Sequence, residues 1–422
     1  MSKILIYKWI NIVSQTNYKD LHDSIDRWFG GVCPNFGNKL WYQGLISEIS
    51  TDDNEITYYD QKMKQEEINE KFDMVIYPMA NIFSKEFSTY LDELSNFFEK
   101  IKIPVFIISC GVQADSYEDL NDLVKSTGNV SKRFISTIYK TGGQFALRGW
   151  FTAEFFKKLG FDNPAVVGCP SLYQLGRNLK ITKKEVDLSH FKPSFNGKFD
   201  VIKDYLNQFD NSVFYDQDHF YDYLYNPNYY SGNSIKRDCL KFLKSSPYSL
   251  DIAKLIVNDR LKLIADMWDW QNSFYSENIN FSFGSRIHGN VISLLSGIPA
   301  VVVGFDSRTR EMAEFYNIPC VGSFDEVKPQ SLYKFYKNLD FSNFNKKFDA
   351  LYNDFETFLI KNNIVKKIST NNPYMNRDIS SFEDPCKFVC EYNKQIVEKV
   401  DSEKTLNKLI CVFIKGYRKI RR

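Results

Sequence analysis

Short continuous runs of apolar residues alternate with amphipathic segments along this chain, and this alternation constrains the fold more than any other feature. Strand-sized runs occupy residues 4–7, 74–77, 105–109, 145–148 and 165–168. Between them, residues 86–100 and 151–159 carry apolar side chains at helical intervals. Uninterrupted apolar strands separated by helices are typical of a parallel sheet covered on both faces. The first half is therefore predicted to be an α/β domain.

A second series of the same kind follows a polar, strand-poor stretch at residues 180–198. Strands are predicted at 213–215, 279–283, 300–303 and 320–321, and helices at 251–270, 291–296 and 309–316. A length of 422 residues also favours two hydrophobic cores. Two doubly wound domains facing a cleft are the simplest account, with the site beyond the carboxyl ends of the strands.

We place the first domain at residues 1–180 and the second at 181–345. Helices in 346–400 are expected to pack back across the domains, and 401–422 form a basic amphipathic tail. A Tyr-rich insertion, 217–249, interrupts the second domain. It is either an acceptor-binding segment, because aromatic faces stack on sugar rings, or an ordinary aromatic-rich surface excursion.

Composition indicates a globular protein, with 43% hydrophobic and 25% charged residues. No apolar run approaches the roughly 20 residues that span a bilayer. The N-terminus enters a strand directly and lacks the features of a signal peptide, so a cytoplasmic location is expected. The 8 cysteines are scattered, without metal-ligand spacing, and we expect reduced structural thiols.

The net charge of +2 conceals a basic C-terminal segment. Residues 403–422 hold seven Lys or Arg against one Glu, with apolar residues at helical spacing. Such a helix can lie on an anionic membrane surface, which would make the protein peripheral at the inner face of the plasma membrane. The alternative is a terminal helix docked on its own domain. The remainder is slightly acidic without a basic stripe, which argues against nucleic-acid binding.

The sequence Ser-Arg-Ile-His-Gly at residues 285–289 is the strongest candidate for chemistry. It lies between a predicted strand and a helix, so Ser285 falls near the N-cap and free N–H groups face the cleft, where they attract phosphate or carboxylate. Arg286 adds a guanidinium group that can donate two hydrogen bonds to an oxyanion, and His288 adds a group that exchanges protons near neutral pH. Gly289 permits close approach of ligand or backbone. The alternative is that His288 caps or packs a core helix.

Further turns carry weaker signals. After the strand at 300–303, Asp306 or Ser307 can cap a helix. Arg308, Arg310 and Glu311 are candidates for contacts to a donor or to the residues that bind it. In the first domain Arg148 ends a strand and faces the same cleft, although a surface salt bridge also explains it. A glycine turn near the N-terminus offers backbone donors at Asn35, Gly37 and Asn38. No carboxylate or His/Cys cluster accompanies these turns, so neither a metal nor a cofactor is expected.

In these segments the chain resembles the polysaccharide pyruvyl transferase family. The resemblance rests on motifs that occur in order: Asn-Phe-Gly-Asn at 35–38, Ala-Leu-Arg-Gly at 146–149, Val-Gly-Cys-Pro-Ser at 167–171, and the stretch from 284 to 311. It departs from the family pattern at Asn38, where an acidic residue is common, and at Phe305, where histidine is often found.

The resemblance implies a GT-B-like fold and transfer of pyruvate from phosphoenolpyruvate to two hydroxyls of a sugar in a polysaccharide or its lipid-linked precursor. The product is a cyclic ketal, made during synthesis of exopolysaccharide, capsule or another cell-envelope glycan. The first domain would then lie on the acceptor side and the second would hold the donor site. Arg148 and Arg286 would bind the donor, and His288 would be the acid or base. Two other hypotheses are kept: a GT-B glycosyltransferase using a nucleotide sugar, and a non-catalytic glycan-binding member. The oligomeric state is not predicted.

Overall fold

A computed structural model describes residues 1–7, 37–60, 62–162, 164–177, 179–217, 249–262, 264, 267–367 and 398. Asn35, nearly all of the predicted insertion 217–249, and the tail 401–422 lie outside the described residues, as does most of the chain beyond residue 367. None of the helices among these described residues combines the length and the hydrophobicity that a membrane span requires.

The first domain is built on a parallel sheet with strand order β2-β1-β3-β4-β5-β6. Its strands are β1 (Ser2–Ile6), β2 (Asn54–Tyr58), β3 (Met74–Pro78), β4 (Val105–Cys110), β5 (Phe145–Leu147) and β6 (Ala165–Val166). Its helices are α1 (Asn38–Ile49), α2 (Gln65–Lys71), α3 (Ser88–Phe98), α4 (Leu120–Lys140) and α5 (Trp150–Lys158). Every residue of β3 and β4 is buried, which is why these strands are continuous apolar runs in the sequence.

The second domain carries another parallel sheet, in the order β12-β11-β10-β7-β8-β9. Its strands are β7 (Pro193–Asn196), β8 (Val213–Tyr215), β9 (Leu261–Lys262), β10 (Phe281–Gly284), β11 (Ala300–Val303) and β12 (Cys320–Val321). Its helices are α6 (Phe199–Gln208), α7 (Ser249–Val257), α8 (Met267–Ser276), α9 (Ile287–Leu295), α10 (Ser307–Tyr316) and α11 (Leu332–Lys337), and α12 (Ser342–Lys361) follows them. Strand order reverses between β7 and β10, so this is the topological switch point of a Rossmann sheet, where ligands bind.

Two Rossmann-like α/β domains in one chain form the GT-B-like arrangement, and the predicted fold class is confirmed. The continuous helix predicted at 251–270 is wrong. The chain instead leaves α7 through a turn in which Asp259 has φ 55°, forms β9 and then enters α8. Asn and Asp tolerate this left-handed conformation, so residues 258–259 end the helix.

One hydrophobic cluster draws side chains from both domains. It includes Leu45 of α1, Ile292 of α9, Met312 of α10 and Tyr352 of α12. The hydroxyl of Tyr352 also donates to Oε2 of Glu48 at 2.8 Å, a buried bond between α12 and α1. Helix α12 therefore follows the second domain in the chain but packs on the first domain. These contacts hold the two domains in a fixed position relative to each other.

Candidate active site

The segment 285–289 leaves β10 at the switch point and enters α9. A Cβ at Gly284, the last residue of β10, would lie 2.0 Å from the carbonyl oxygen of Asn196, so the close approach of the two strands requires glycine. The N–H of Ser285 donates to the same carbonyl at 3.1 Å. Arg286 is the N-cap of α9. Because the first N–H groups of a helix lack intrahelical acceptors, this turn offers an anion site beside an arginine.

His288 lies in the first turn of α9 and is buried, with 6% of its surface exposed. Within the described part of the chain, its Nε2 has no hydrogen-bond partner. Burial, together with the positive charges of Arg148 and Arg308, lowers the pKa of His288 to about 3. The imidazole is therefore neutral at neutral pH and sits in a positive field to which both domains contribute.

Arg148 follows β5 in the first domain and is only 4% exposed. Its backbone N–H donates to the carbonyl of Cys110 at 2.9 Å, which extends the pairing of β5 with β4. Its Nη2 donates to Oγ of Ser109 at 3.4 Å, while Nε has no partner among the described residues. Ser109 adopts φ 71°, an unusual conformation for a residue other than glycine, where β4 and β5 shift register. A buried guanidinium with unused donors is suited to an anionic ligand.

Gly289 serves the packing of protein side chains. A Cβ at this position would lie 2.7 Å from Nε2 of Gln217 and 2.9 Å from Nδ2 of Asn196. Both amide side chains are buried at the carboxyl ends of β8 and β7, and neither was a candidate from the sequence. The available signal was the pair Asn196-Gly197 in a polar stretch, but without the strand its position at the cleft is not evident.

The turn after β11 is a helix cap joined to an ion pair. Oδ1 of Asp306 accepts from the N–H of Thr309 at 2.9 Å and caps α10. Oδ2 of Asp306 accepts from Nε of Arg308 at 2.8 Å, which holds that guanidinium near His288. Both carboxylate oxygens of Asp306 thus accept hydrogen bonds within the protein. Arg308 adds to the positive charge around His288.

Ser307 and Glu311, one turn apart on α10, bind the first domain. Oγ of Ser307 accepts from the N–H of Ala114 at 2.9 Å. The Glu311 carboxylate accepts from the N–H of Thr152 at 2.6 Å and from its hydroxyl at 3.0 Å, so it caps α5 from the opposite domain. Burial raises the pKa of Glu311 to about 7, although the Thr152 bonds and Arg148 act in the opposite direction. This carboxyl fills the anion site of α5 directly behind Arg148.

The remaining candidates lie in the first domain. Gly37 is the N-cap of α1 and Asn38 its first residue, while Asn35 is outside the described residues. Across the described ranges, no group of three or more His, Cys, Asp or Glu side chains is arranged to hold a metal ion.

A separate cavity of about 500 Å³ opens at the amino ends of β8 and β9, away from the turn at 285–289. Its charged groups neutralise one another. Glu277 accepts from Lys192 at 2.9 Å and lies 3.2 Å from Lys262, which also pairs with Asp259 at 2.6 Å. This cavity lacks the uncompensated positive charge that distinguishes the site at Arg148 and His288.

A comparison with known protein families identifies the family of the chain. The model of the polysaccharide pyruvyl transferase family matches residues 38–307, which is more than half of the chain and includes Arg148, the 285–289 turn and Asp306. The chain belongs to the polysaccharide pyruvyl transferase family. The predicted family is confirmed, and the chain is thereby a member of a transferase family. No curated protein matches its sequence significantly.

Solved structures similar to this chain share little sequence with it. S. aureus MnaA with UDP is 11% identical, covers 88% of this chain and 100% of its own, and has a TM-score of 0.39. A putative UDP-N-acetylglucosamine 2-epimerase from Listeria monocytogenes is 9% identical, with coverages of 85% and 96% and a TM-score of 0.42. Glycyrrhiza uralensis UGT73P12, complexed with glycyrrhetinic acid 3-O-monoglucuronide, is 11% identical, with coverages of 99% and 99% and a TM-score of 0.39. At these scores the likenesses do not bear on substrate.

Proposed function

We propose that this protein transfers the pyruvyl group of phosphoenolpyruvate to two hydroxyls of a sugar, forming a cyclic ketal during synthesis of a surface polysaccharide such as an exopolysaccharide or capsule. One observation carries the proposal: Arg148 and His288, on opposite domains, are both buried and both keep polar nitrogens without partners among the described residues. Both residues lie within the match to the polysaccharide pyruvyl transferase family, and this supports phosphoenolpyruvate as the donor.

The donor carries a carboxylate and a phosphate, and the cleft offers two kinds of anion site. One is the guanidinium of Arg148, and the other is the N-terminus of α9 together with Arg286. Arg308, held by Asp306, adds a third positive charge near His288. We assign the α9 N-terminus and Arg286 to the phosphate and Arg148 to the carboxylate, because helix N-termini favour phosphate and a guanidinium matches a planar carboxylate.

His288 is assigned the proton transfers. With its pKa held at about 3 in this structure, the imidazole is a neutral base that can take a proton from an acceptor hydroxyl. A bound donor brings negative charge beside it, which offsets Arg148 and Arg308 and raises its pKa. The imidazole can then hold that proton and deliver it to the methylene carbon of the donor.

The atoms balance in two bond-forming steps. The first hydroxyl oxygen bonds to C2 of phosphoenolpyruvate, and its proton passes through His288 to C3, which becomes a methyl group. The second hydroxyl oxygen bonds to C2 while the bond from C2 to the phosphate oxygen breaks, and phosphate leaves with that electron pair. The second hydroxyl proton departs with phosphate. The products are the ketal and inorganic phosphate.

Several remaining residues are assigned supporting roles. Ser307 and Glu311 keep the domains in register through Ala114 and Thr152, and Gly289 leaves space for the amide side chains beneath α9. The acceptor is expected on the first-domain side of the cleft. We also propose that the protein acts at the cytoplasmic face of the membrane, held by the basic segment 403–422, which lies outside the described residues.

The test is phosphate release from phosphoenolpyruvate in the presence of a panel of lipid-linked and nucleotide-linked sugars. His288→Ala and Arg286→Ala are expected to lower turnover at least about 100-fold without loss of fold, the usual scale for a proton-transfer or oxyanion-binding group. His190→Ala is the matched control, because His190 is exposed and pairs with Asp187. Wild-type turnover by the His288 variant would refute its role.

The products separate the alternatives. Release of a nucleoside diphosphate from a nucleotide sugar, with none of phosphate from phosphoenolpyruvate, would identify a glycosyltransferase. Glycan binding without either product would identify a non-catalytic member.

A further inference from the structure

The side chain of Asn196 occupies the centre of the switch point. Asn196 ends β7, is 2% exposed, and its Oδ1 accepts from the backbone N–H of Arg286 at 2.8 Å. Its Nδ2 donates to Oδ1 of Asn290 on α9 at 3.1 Å. Asn290 in turn donates to the carbonyl of Gly284 at 2.9 Å. These partners fix the orientation of the carboxamide, because only an oxygen can accept from the Arg286 N–H.

The same carboxamide also lies against both glycines that enclose the turn, beside the Asn196 carbonyl at Gly284 and the Gln217 amide at Gly289. A Cβ on Gly284 would lie 2.4 Å from Oδ1 of Asn196, and a Cβ on Gly289 would lie 2.9 Å from its Nδ2. Any larger residue at either position would displace Asn196. Two glycines five residues apart therefore both leave room for the Asn196 side chain, which belongs to another strand.

We infer that Asn196 is a positioning residue of the donor site, which holds the 284–289 turn so that Arg286 and His288 face the ligand. This inference deepens the proposed function and rests on it. Asn196 acts through the backbone of Arg286 and through α9. Its contribution is to the geometry of the anion site, because the bond from the Arg286 N–H to Asn196 fixes the backbone at the N-cap, directly before the first turn of α9.

A purely structural role predicts something different. If Asn196 only stabilised the junction of β7 and β10, the folded fraction of a variant would turn over and bind anions normally. A positioning role predicts that folded protein is impaired, because displacements of about 1 Å at a reacting group cost roughly 100-fold in rate.

Asn280 provides a matched control on the neighbouring strand. It directly precedes β10, at the amino end of that strand, whereas the donor site lies at the carboxyl end. Asn280 is 7% exposed and likewise makes two hydrogen bonds to another segment. It accepts from the N–H of Lys192 at 3.1 Å and donates to the carbonyl of His190 at 2.7 Å. Asn280→Ala thus removes a comparable buried side chain away from the donor site.

The experiment measures kcat and KM for phosphoenolpyruvate, and the dissociation constant of inorganic phosphate by calorimetry, on folded protein. Asn196→Ala is expected to lower kcat about 100-fold and to weaken phosphate binding at least about tenfold, with Asn280→Ala within about twofold of wild type in both. Asn196→Asp keeps the acceptor for the Arg286 N–H but loses the donor to Oδ1 of Asn290 and adds a negative charge. It is therefore expected to recover about tenfold of the lost kcat and none of the lost phosphate affinity. Asn196→Asp also tests the inference if Asn196→Ala does not fold.

The outcomes separate this inference from the function it rests on. Equal effects of Asn196→Ala and Asn280→Ala on kcat and on phosphate binding would overturn the positioning role, whatever the reaction. A wild type that releases no phosphate from phosphoenolpyruvate, yet binds inorganic phosphate more weakly only after Asn196→Ala, would refute the proposed reaction and retain Asn196 as the organiser of an anion site.

Discussion

Glu311 is a buried carboxyl that links the two domains, and its titration has a calculable effect on stability. Its pKa rises from an ordinary value of 4.5 to about 7 in the folded protein. Between these values the folded state keeps a proton that the unfolded state releases, so stability falls as pH increases. At roughly 1.4 kcal/mol for each pH unit between the two values, the cost above pH 7 is about 3 kcal/mol. Below pH 4.5 this cost is absent.

Glu311→Gln removes the titration and keeps an acceptor for the N–H of Thr152. The variant is expected to equal wild type within about 1 kcal/mol near pH 4.5 and to exceed it by about 3 kcal/mol near pH 8.5. Urea denaturation at a series of pH values measures the difference. Glu154→Gln, which removes an exposed carboxylate from α5, controls for the change in charge. A constant difference between the Glu311 variant and wild type across this range would refute the argument.

Three further outcomes are expected. Gly289→Ala places a methyl group against Asn196, so it should lower kcat/KM at least about tenfold and stability by roughly 1–3 kcal/mol, measured by phosphate release and urea denaturation. Burial raises the pKa of Glu48 to about 8 despite its bond from Tyr352, so Glu48→Gln should be increasingly more stable than wild type as pH rises from 4.5 through 8 in thermal denaturation. Deletion of residues 403–422 should reduce sedimentation with anionic vesicles, and equal sedimentation would leave the segment as a structural helix.

The sequence predicts the fold class because buried parallel strands must be apolar, as the fully buried run of β4 shows. It does not predict β7, whose Pro-Ser-Phe-Asn sequence carries a single strongly apolar residue. That strand exists because β8 and β10 pair with it on both sides. Tertiary pairing outweighs local preference at such positions. With β7 missing, the switch point and Asn196 could not be located.

Because ligands bind beyond the carboxyl ends of parallel strands, the sequence alone predicts that Arg148 and His288 face one cleft. It does not predict that both are buried or that Arg148 lowers the pKa of His288. The pKa of His288 depends on an arginine 140 residues away in the chain and in the other domain. The bonds from Thr152 to Glu311 likewise join residues 159 positions apart. Contacts of this range carry no local signal, so they appear only once the two sheets are assembled.

The central claim is that Arg148 and the 285–289 turn form a site for phosphoenolpyruvate. Calorimetric titration of wild type and of Arg148→Ala with phosphoenolpyruvate, and of wild type with nucleotide sugars, tests it most directly. We predict that wild type binds phosphoenolpyruvate, that the Arg148 variant binds it at least about tenfold more weakly, and that nucleotide sugars do not bind. Binding of a nucleotide sugar in place of phosphoenolpyruvate, or unchanged affinity in the Arg148 variant, would contradict the claim.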